Sequence, residues 1–389
     1  MDHSKQRESQ AVTGEECATS AEALVPRGAR DPGQPTAEER RLHELTHCPF
    51  RSWCDACVKG QAKNAPSRKI QGEFAESAIT RVRMDYAFIT EGVEEKTGEH
   101  GESTERTAKE SMTVLVMQES RCRSVWAYAV ANKGMKEDWI VDQIIEDLET
   151  VGIKHERVVF KSDQENALGE VQREVARRRS GYGSAIETSR VGDSDSNGTV
   201  ERAIQDFSGL LRTLRVALEK KLKAKMELSW NVVPWLVRHA ANVITMCRVR
   251  ENGKTAYQLM KGRKSNAKII EFGETVLFRV PKTADMPGKF EERWVQGVWV
   301  GFTMRSGEHL VSNNQGTFKV STVMRRSADR RWSIELVKEV SGSPAQPIPG
   351  RADRRLAVYS RKFAKDSKDD GPIFVPQAKE EPEVRAFQI

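Results

Sequence analysis

The sequence predicts an α/β domain, preceded by a short histidine- and cysteine-bearing segment and followed by a small all-β module. Three observations predict it. Apolar patterns between residues 81 and 218 run in the order β, β, β, α, β, α, β, α; from Phe272 the pattern changes to short runs separated by Gly, Pro and Asn; and His43, His47, Cys54 and Cys57 fall within 15 residues.

Each element has its own signal. "RVRMDYAFIT" (81–90), "SMTVLVMQES" and "RCRSVWAYAV" read as strands, and the acidic, glycine-containing insertion at 91–110 as a solvated hairpin loop. "EDWIVDQIIEDLETVG" places apolar residues at 139, 140, 144, 145 and 148, a helical stripe closed by Gly152. A strand "HERVVF", a helix across 165–179, a short strand near "AIETSR" and the polar loop "VGDSDSNG" follow. The next helix begins near Val200 and aligns Ala203, Ile204, Phe207, Leu210, Leu211, Leu214 and Leu218 on one stripe. A further helix runs from Trp230 to Cys247, with Pro234 near its first turn, where a missing amide donor does little harm. The runs "ETVLFRV", "WVQGVWVGF", "EHLVSNN" and "GTFKVSTVMRR" predict a small barrel-like module, with Trp294, Trp299 and Phe302 as core.

The expected boundaries are a disordered tail at 1–40, a zinc-binding segment at 41–70, the α/β domain with basic helices at 78–270, the β module at 271–335 and a mostly disordered tail at 336–389. No apolar run approaches the roughly 18 residues that span a bilayer, so no membrane partner is expected. The polar start "MDHSKQRESQ" lacks a signal peptide's apolar stretch, which points to an intracellular protein with reduced thiols. Six cysteines in 389 residues are too sparse for a disulfide scaffold.

The net charge is +7, yet residues 202–264 hold 14 Lys/Arg against 4 Asp/Glu, a local +10 that leaves −3 elsewhere. A basic block of this kind suits phosphate backbones; a solvated helical face is the plainer alternative.

Three acids fall at matching places: Asp85 inside the first strand, Asp163 just after the fourth, and Glu201 in the first turn of the helix after the Gly/Asn/Ser loop. If the first and fourth strands are neighbours, the two aspartates lie side by side and Glu201 can reach them. Converging carboxylates repel unless cations sit between them, and such oxygen-rich sites suit Mg²⁺ or Mn²⁺. Taken singly, each has a plainer reading: Asp163 as a helix N-cap, Glu201 as an acid favoured by the helix dipole. Asp193 and Asp195 compete for the third place from a loop that nothing fixes.

The pieces "MDYAFI", "VVFKSDQEN" and "DSNGTVERAIQ" resemble the DDE integrases of LTR retrotransposons and retroviruses, with 37 residues between Asp163 and Glu201, close to the family's characteristic gap. The β segment is similar to the region that follows the catalytic core in copia-type elements. The resemblance covers about residues 41–335. It implies a ribonuclease H-like mixed five-stranded sheet flanked by helices, and Asp85, Asp163 and Glu201 as catalytic ligands of two Mg²⁺ or Mn²⁺ ions. It also implies DNA 3′-end processing and strand transfer on double-stranded DNA, both element ends and target, by a homo-oligomer that is nuclear when acting on host DNA. A non-enzymatic DNA-binding or assembly protein and a nuclease that only cleaves are the alternatives, and the chain could be a polyprotein fragment.

His43 and His47, four apart on one helical face, precede the Cys54/Cys57 C-x-x-C pair, a closed set for structural zinc. The resembling family places a similar set before its catalytic core. Here only six residues separate His47 from Cys54, far fewer than usual, so a trimmed knuckle is expected rather than a three-helix bundle. Cys48 could replace a neighbouring ligand. Arg202, Arg212, Arg215, Lys220, Lys221, Lys223 and Lys225 are the candidate phosphate contacts.

Overall fold

In the computed structural model, which describes residues 31–62, 79–96, 105–136, 138–188, 194–280, 290 and 292–359, the histidine–cysteine segment forms two short helices, α1 (Ala37–Glu44) and α2 (Asp55–Gln61). Thr36 caps α1 by accepting from the Glu39 amide, and Glu39 accepts in return from the Thr36 amide.

The α/β domain follows as β1 (Thr80–Lys96), β2 (Glu105–Glu119), β3 (Val125–Val130), α3 (Trp139–Thr150), β4 (Val158–Ser162), α4 (Asn166–Arg178), β5 (Ser184–Thr188), α5 (Ser194–Leu222), α6 (Val232–Cys247) and α7 (Ala256–Lys261). The five strands lie in the order β3-β2-β1-β4-β5. β1, β2 and β3 pair antiparallel, whereas β4 runs parallel to β1 and β5 parallel to β4. This mixed five-stranded sheet flanked by helices is a ribonuclease H-like fold.

Strand alternation sorts the core into two layers. Val82, Met84 and Tyr86 pack with Ile140, Ile144 and Leu148 of α3 and Leu168, Val171 and Val175 of α4. Ala87, Val114 and Val116 face the other way, onto Ala203, Phe207 and Leu210 of α5 and Trp235 and Ala240 of α6.

A second sheet contains β6 (Thr275–Arg279), β7 (Trp294–Phe302), β8 (His309–Asn313), β9 (Gly316–Val320), β10 (Val323–Arg325) and β11 (Ala357–Val358), with α8 (Ile334–Lys338) before the last strand. Its order is β10-β6-β7-β8-β9-β11, so the expected barrel is an open six-stranded sheet with β10 and β11 at its edges. Trp299 and Phe302 are buried in its core, as expected of them.

Four expectations are corrected here. The insertion at 91–110 is largely paired strand, with register running to Lys96↔Glu105, because the cross-strand hydrogen bonds continue past the apolar residues. The N-terminal boundary moves back to the capped start of α1 at Ala37. α5 begins at Ser194 rather than near Val200, so much of the polar loop is helix; Ser, Asp and Asn suit a first helical turn as well as a loop. The tail expected from 336 is ordered through Tyr359: Val337, Val340, Ile348 and Tyr359 are buried, and β11 pairs with β9. Residues 1–30 and 360–389, expected to be disordered, lie outside the described residues. Among the described residues no helix is long and apolar enough to cross a membrane.

Candidate active site and metal centre

One ligand atom from each of His43, His47, Cys54 and Cys57 lies within 4.8 Å of the others. His43 Nε2 is 3.2 Å from Cys57 Sγ, and His47 Nδ1 is 3.4 Å from Cys54 Sγ and 3.9 Å from Cys57 Sγ. A tetrahedron with zinc–sulfur and zinc–nitrogen bonds of about 2.3 and 2.0 Å has N···S edges of about 3.5 Å, so the four groups fit zinc as they stand. A hydrogen bond from the Cys57 thiol pulls Cys54 well below the ordinary thiol range, and His43 and His47 add to the pull. Cys48 lies outside this group: it packs against the apolar layer under α5, and burial pushes its thiol up to about 11.

The knuckle is docked on α5. A Cβ at Gly60 would sit 2.2 Å from Thr213 Oγ1 and 2.7 Å from the Thr213 backbone nitrogen, so α2 crosses α5 at a distance only glycine permits. Arg212 Nε donates to the Gly60 carbonyl at 3.3 Å, and Lys221 donates to Glu44 at 3.0 Å.

Asp85 stands on the α5 side of β1, opposite Val116. The parallel register pairs Arg83, two residues before Asp85, with Lys161, and Asp163 follows directly on the end of β4 at Ser162. Burial raises the Asp85 carboxyl above its ordinary range; the negative charges of Asp163 and Glu165 add to this, while the Tyr86 amide and the Lys133 ammonium oppose it. Asp163 is not the N-cap of α4, a position held by Glu165, so its plainer reading fails.

Glu201 is placed differently from the expectation. It is the eighth residue of α5 rather than part of its first turn, and it is exposed. α5 does cover the sheet face on which Asp85 stands, through Ala203 and Phe207. Among the described residues the three carboxylates are not gathered as a metal-ready group, and the His/Cys set is.

The basic candidates divide. Arg215 pairs with Glu91 and Glu219, and Lys221 with Glu44 and Glu271, so both tie the protein to itself. Arg212 is held at Gly60 and Arg202 sits 3.6 Å from Asp206. Lys220, Lys223 and Lys225 are exposed at the end of α5 and just beyond it. Sequence reasoning missed Lys133 and Glu165, which pair beside the aspartates; the only hint was the second acid in "SDQEN".

No family model matches the chain, and no curated protein does. Among solved structures, the catalytic core domain of HTLV-2 integrase in complex with magnesium aligns with 46% of this chain and 95% of its own at 12% identity and a TM-score of 0.32. The simian T-cell lymphotropic virus intasome in complex with the PP2A regulatory subunit B56 gamma covers 74% and 98% at 12% identity and 0.30. The BIV integrase catalytic core covers 46% and 92% at 16% and 0.28. Similarity at this level adds nothing to the topology itself, which defines the class: a ribonuclease H-like protein with a docked His₂Cys₂ knuckle.

Proposed function

We propose that this chain is an integrase of the retrotransposon, copia-like type, a polynucleotidyl transferase that trims and joins double-stranded DNA as a homo-oligomer. What supports the proposal is that Asp163 follows directly on β4, the parallel neighbour of the strand that carries Asp85, and that burial, with the negative charges of Asp163 and Glu165 adding to it, raises the Asp85 carboxyl. Divalent cations bound there would lower the pKa of an attacking water or hydroxyl and neutralise charge in an in-line displacement at phosphorus. Asp85 and Asp163 would hold them, with Glu201 supplied from α5. Lys133 keeps Glu165 turned to the same edge of the site. The knuckle, loaded with zinc, fixes α5.

Magnesium-dependent strand transfer on a short duplex tests this. Asp163→Asn and Glu201→Gln should abolish transfer and leave duplex binding intact; full activity in Asp163→Asn sinks the proposal. If Glu165→Gln is inactive while Glu201→Gln is active, the third carboxylate is Glu165. A second reading, a non-enzymatic DNA-binding protein on the same fold, draws on the exposed Glu201. It requires that wild-type protein neither transfer nor nick.

A further inference from the structure

Three triplets with arginines flanking an apolar residue or cysteine are spread along the sequence: Arg81-Val82-Arg83, Arg121-Cys122-Arg123 and Arg248-Val249-Arg250. Folding brings them to one end of the sheet. Arg81 donates its amide to Ser120 Oγ at 2.9 Å and accepts from the Ser120 amide at 2.8 Å, which seats the β2–β3 turn against the start of β1. Arg250, just beyond α6, donates Nη2 to the carbonyl of Arg123. Only Arg121 turns away, to Glu156 and the Val151 carbonyl.

Among the described residues, few acids answer the five remaining guanidinium groups. Glu187 reaches Arg81 at 3.8 Å, and Asp206 reaches Arg248 at 2.8 Å while also facing Arg202. Glu119 lies close but is buried and accepts backbone amides from Arg121, Cys122 and Ser124. The Nε groups of Arg83 and Arg250 are buried with no hydrogen-bond partner among the described residues, an unfavourable state for a charged donor. Burial, and the charges of Arg123 and Arg248, press Arg250 below the ordinary guanidinium range. Desolvated like charges with unanswered donors suit an anion. Arg83 and Asp85, two apart on one face of β1, are separated by about 7 Å along the strand, comparable to the step between neighbouring phosphates of one nucleic-acid strand.

We propose that Arg81, Arg83, Arg123, Arg248 and Arg250 form a phosphate-binding notch beside the aspartate pair that takes the backbone phosphates of nucleic acid. The choice of nucleic acid over free phosphate rests on the proposed function; the anion site itself does not.

The test is duplex binding by fluorescence anisotropy over a range of salt, without divalent metal, so that loss of transferase activity has no bearing on it. Arg83→Gln and Arg250→Gln should each weaken binding and reduce the slope of log Kd against log salt by about 1 per lost phosphate contact. Their thermal midpoints should stay level or rise, because each removes a crowded charge. An unchanged slope and affinity overturns the proposal, and so does a lowered midpoint with an unchanged slope, the mark of a structural cluster. If inorganic phosphate raises the midpoint of the wild type but not of the variants, and the duplex slope is unaffected, the notch serves free phosphate and the nucleic-acid assignment fails.

Discussion

Lys133 donates its ammonium to Glu165 while lying 4.7 Å from the ring centre of Phe88 and 5.1 Å from that of Tyr86, which fixes a cation at the edge of the Asp85–Asp163 pair. Lys133→Met keeps the stem on the rings and removes the charge. Asp85, already raised, should rise further. A carboxyl whose folded pKa is raised contributes stability below its unfolded pKa and loses it as pH rises through the folded one. The metal-free variant should therefore lose more stability than wild type as pH rises above the ordinary aspartate value of about 4, read at pH 4 and pH 8, and Mg²⁺ should raise its thermal midpoint by more. Equal midpoints at both pH values would argue against a charge role.

Asp147 gives a second pH dependence. It is buried, accepts from the Tyr128 hydroxyl at 2.7 Å, and burial pushes its carboxyl up to about 7. Stability from this group is present below about pH 4 and is lost as pH rises through 7, by on the order of 4 kcal/mol at most. Asp147→Asn keeps an acceptor for Tyr128 and should flatten that part of the curve in urea unfolding at pH 5 and pH 8.

Zinc should be present at one ion per chain by atomic absorption and absent from Cys57→Ser. Chelation should expose Cys54 and Cys57 to alkylation, while Cys247, pushed up to about 12 by burial, stays slow. Two newly labelled thiols in mass spectrometry, at those positions, check this.

Gly60→Ala should destabilise by about 1–3 kcal/mol, since the added methyl meets Thr213 backbone as well as its hydroxyl. The thermal midpoint and zinc affinity should fall together. A midpoint equal to wild type would mean that α2 shifts freely on α5.

The two-layered sheet was legible in the sequence because strand and helix periods differ, and each buried stripe, such as Phe207–Leu210–Leu214, marks one covered face. The zinc ligands were legible because four soft donors sit close in the chain. Hidden from the sequence was the role of Arg215 and Lys221, whose partners Glu91 and Glu44 lie over a hundred positions away. The β11 strand was missed because its ordering comes from pairing with β9 rather than from local composition. Glu201 was misplaced within its helix because Ser, Asp and Asn favour turns and helix starts alike.

α5 spans 29 residues, about 43 Å as a straight helix, with Glu201 toward one end, the Gly60 crossing about two-thirds of the way along and the Lys221 ties near the other end. A rod of that length does not absorb displacement along its axis. Seating of the knuckle at Thr213 therefore governs how far the Glu201 end can swing over the sheet, so a metal that performs no chemistry would still set the reach of a residue some 18 Å distant along the rod.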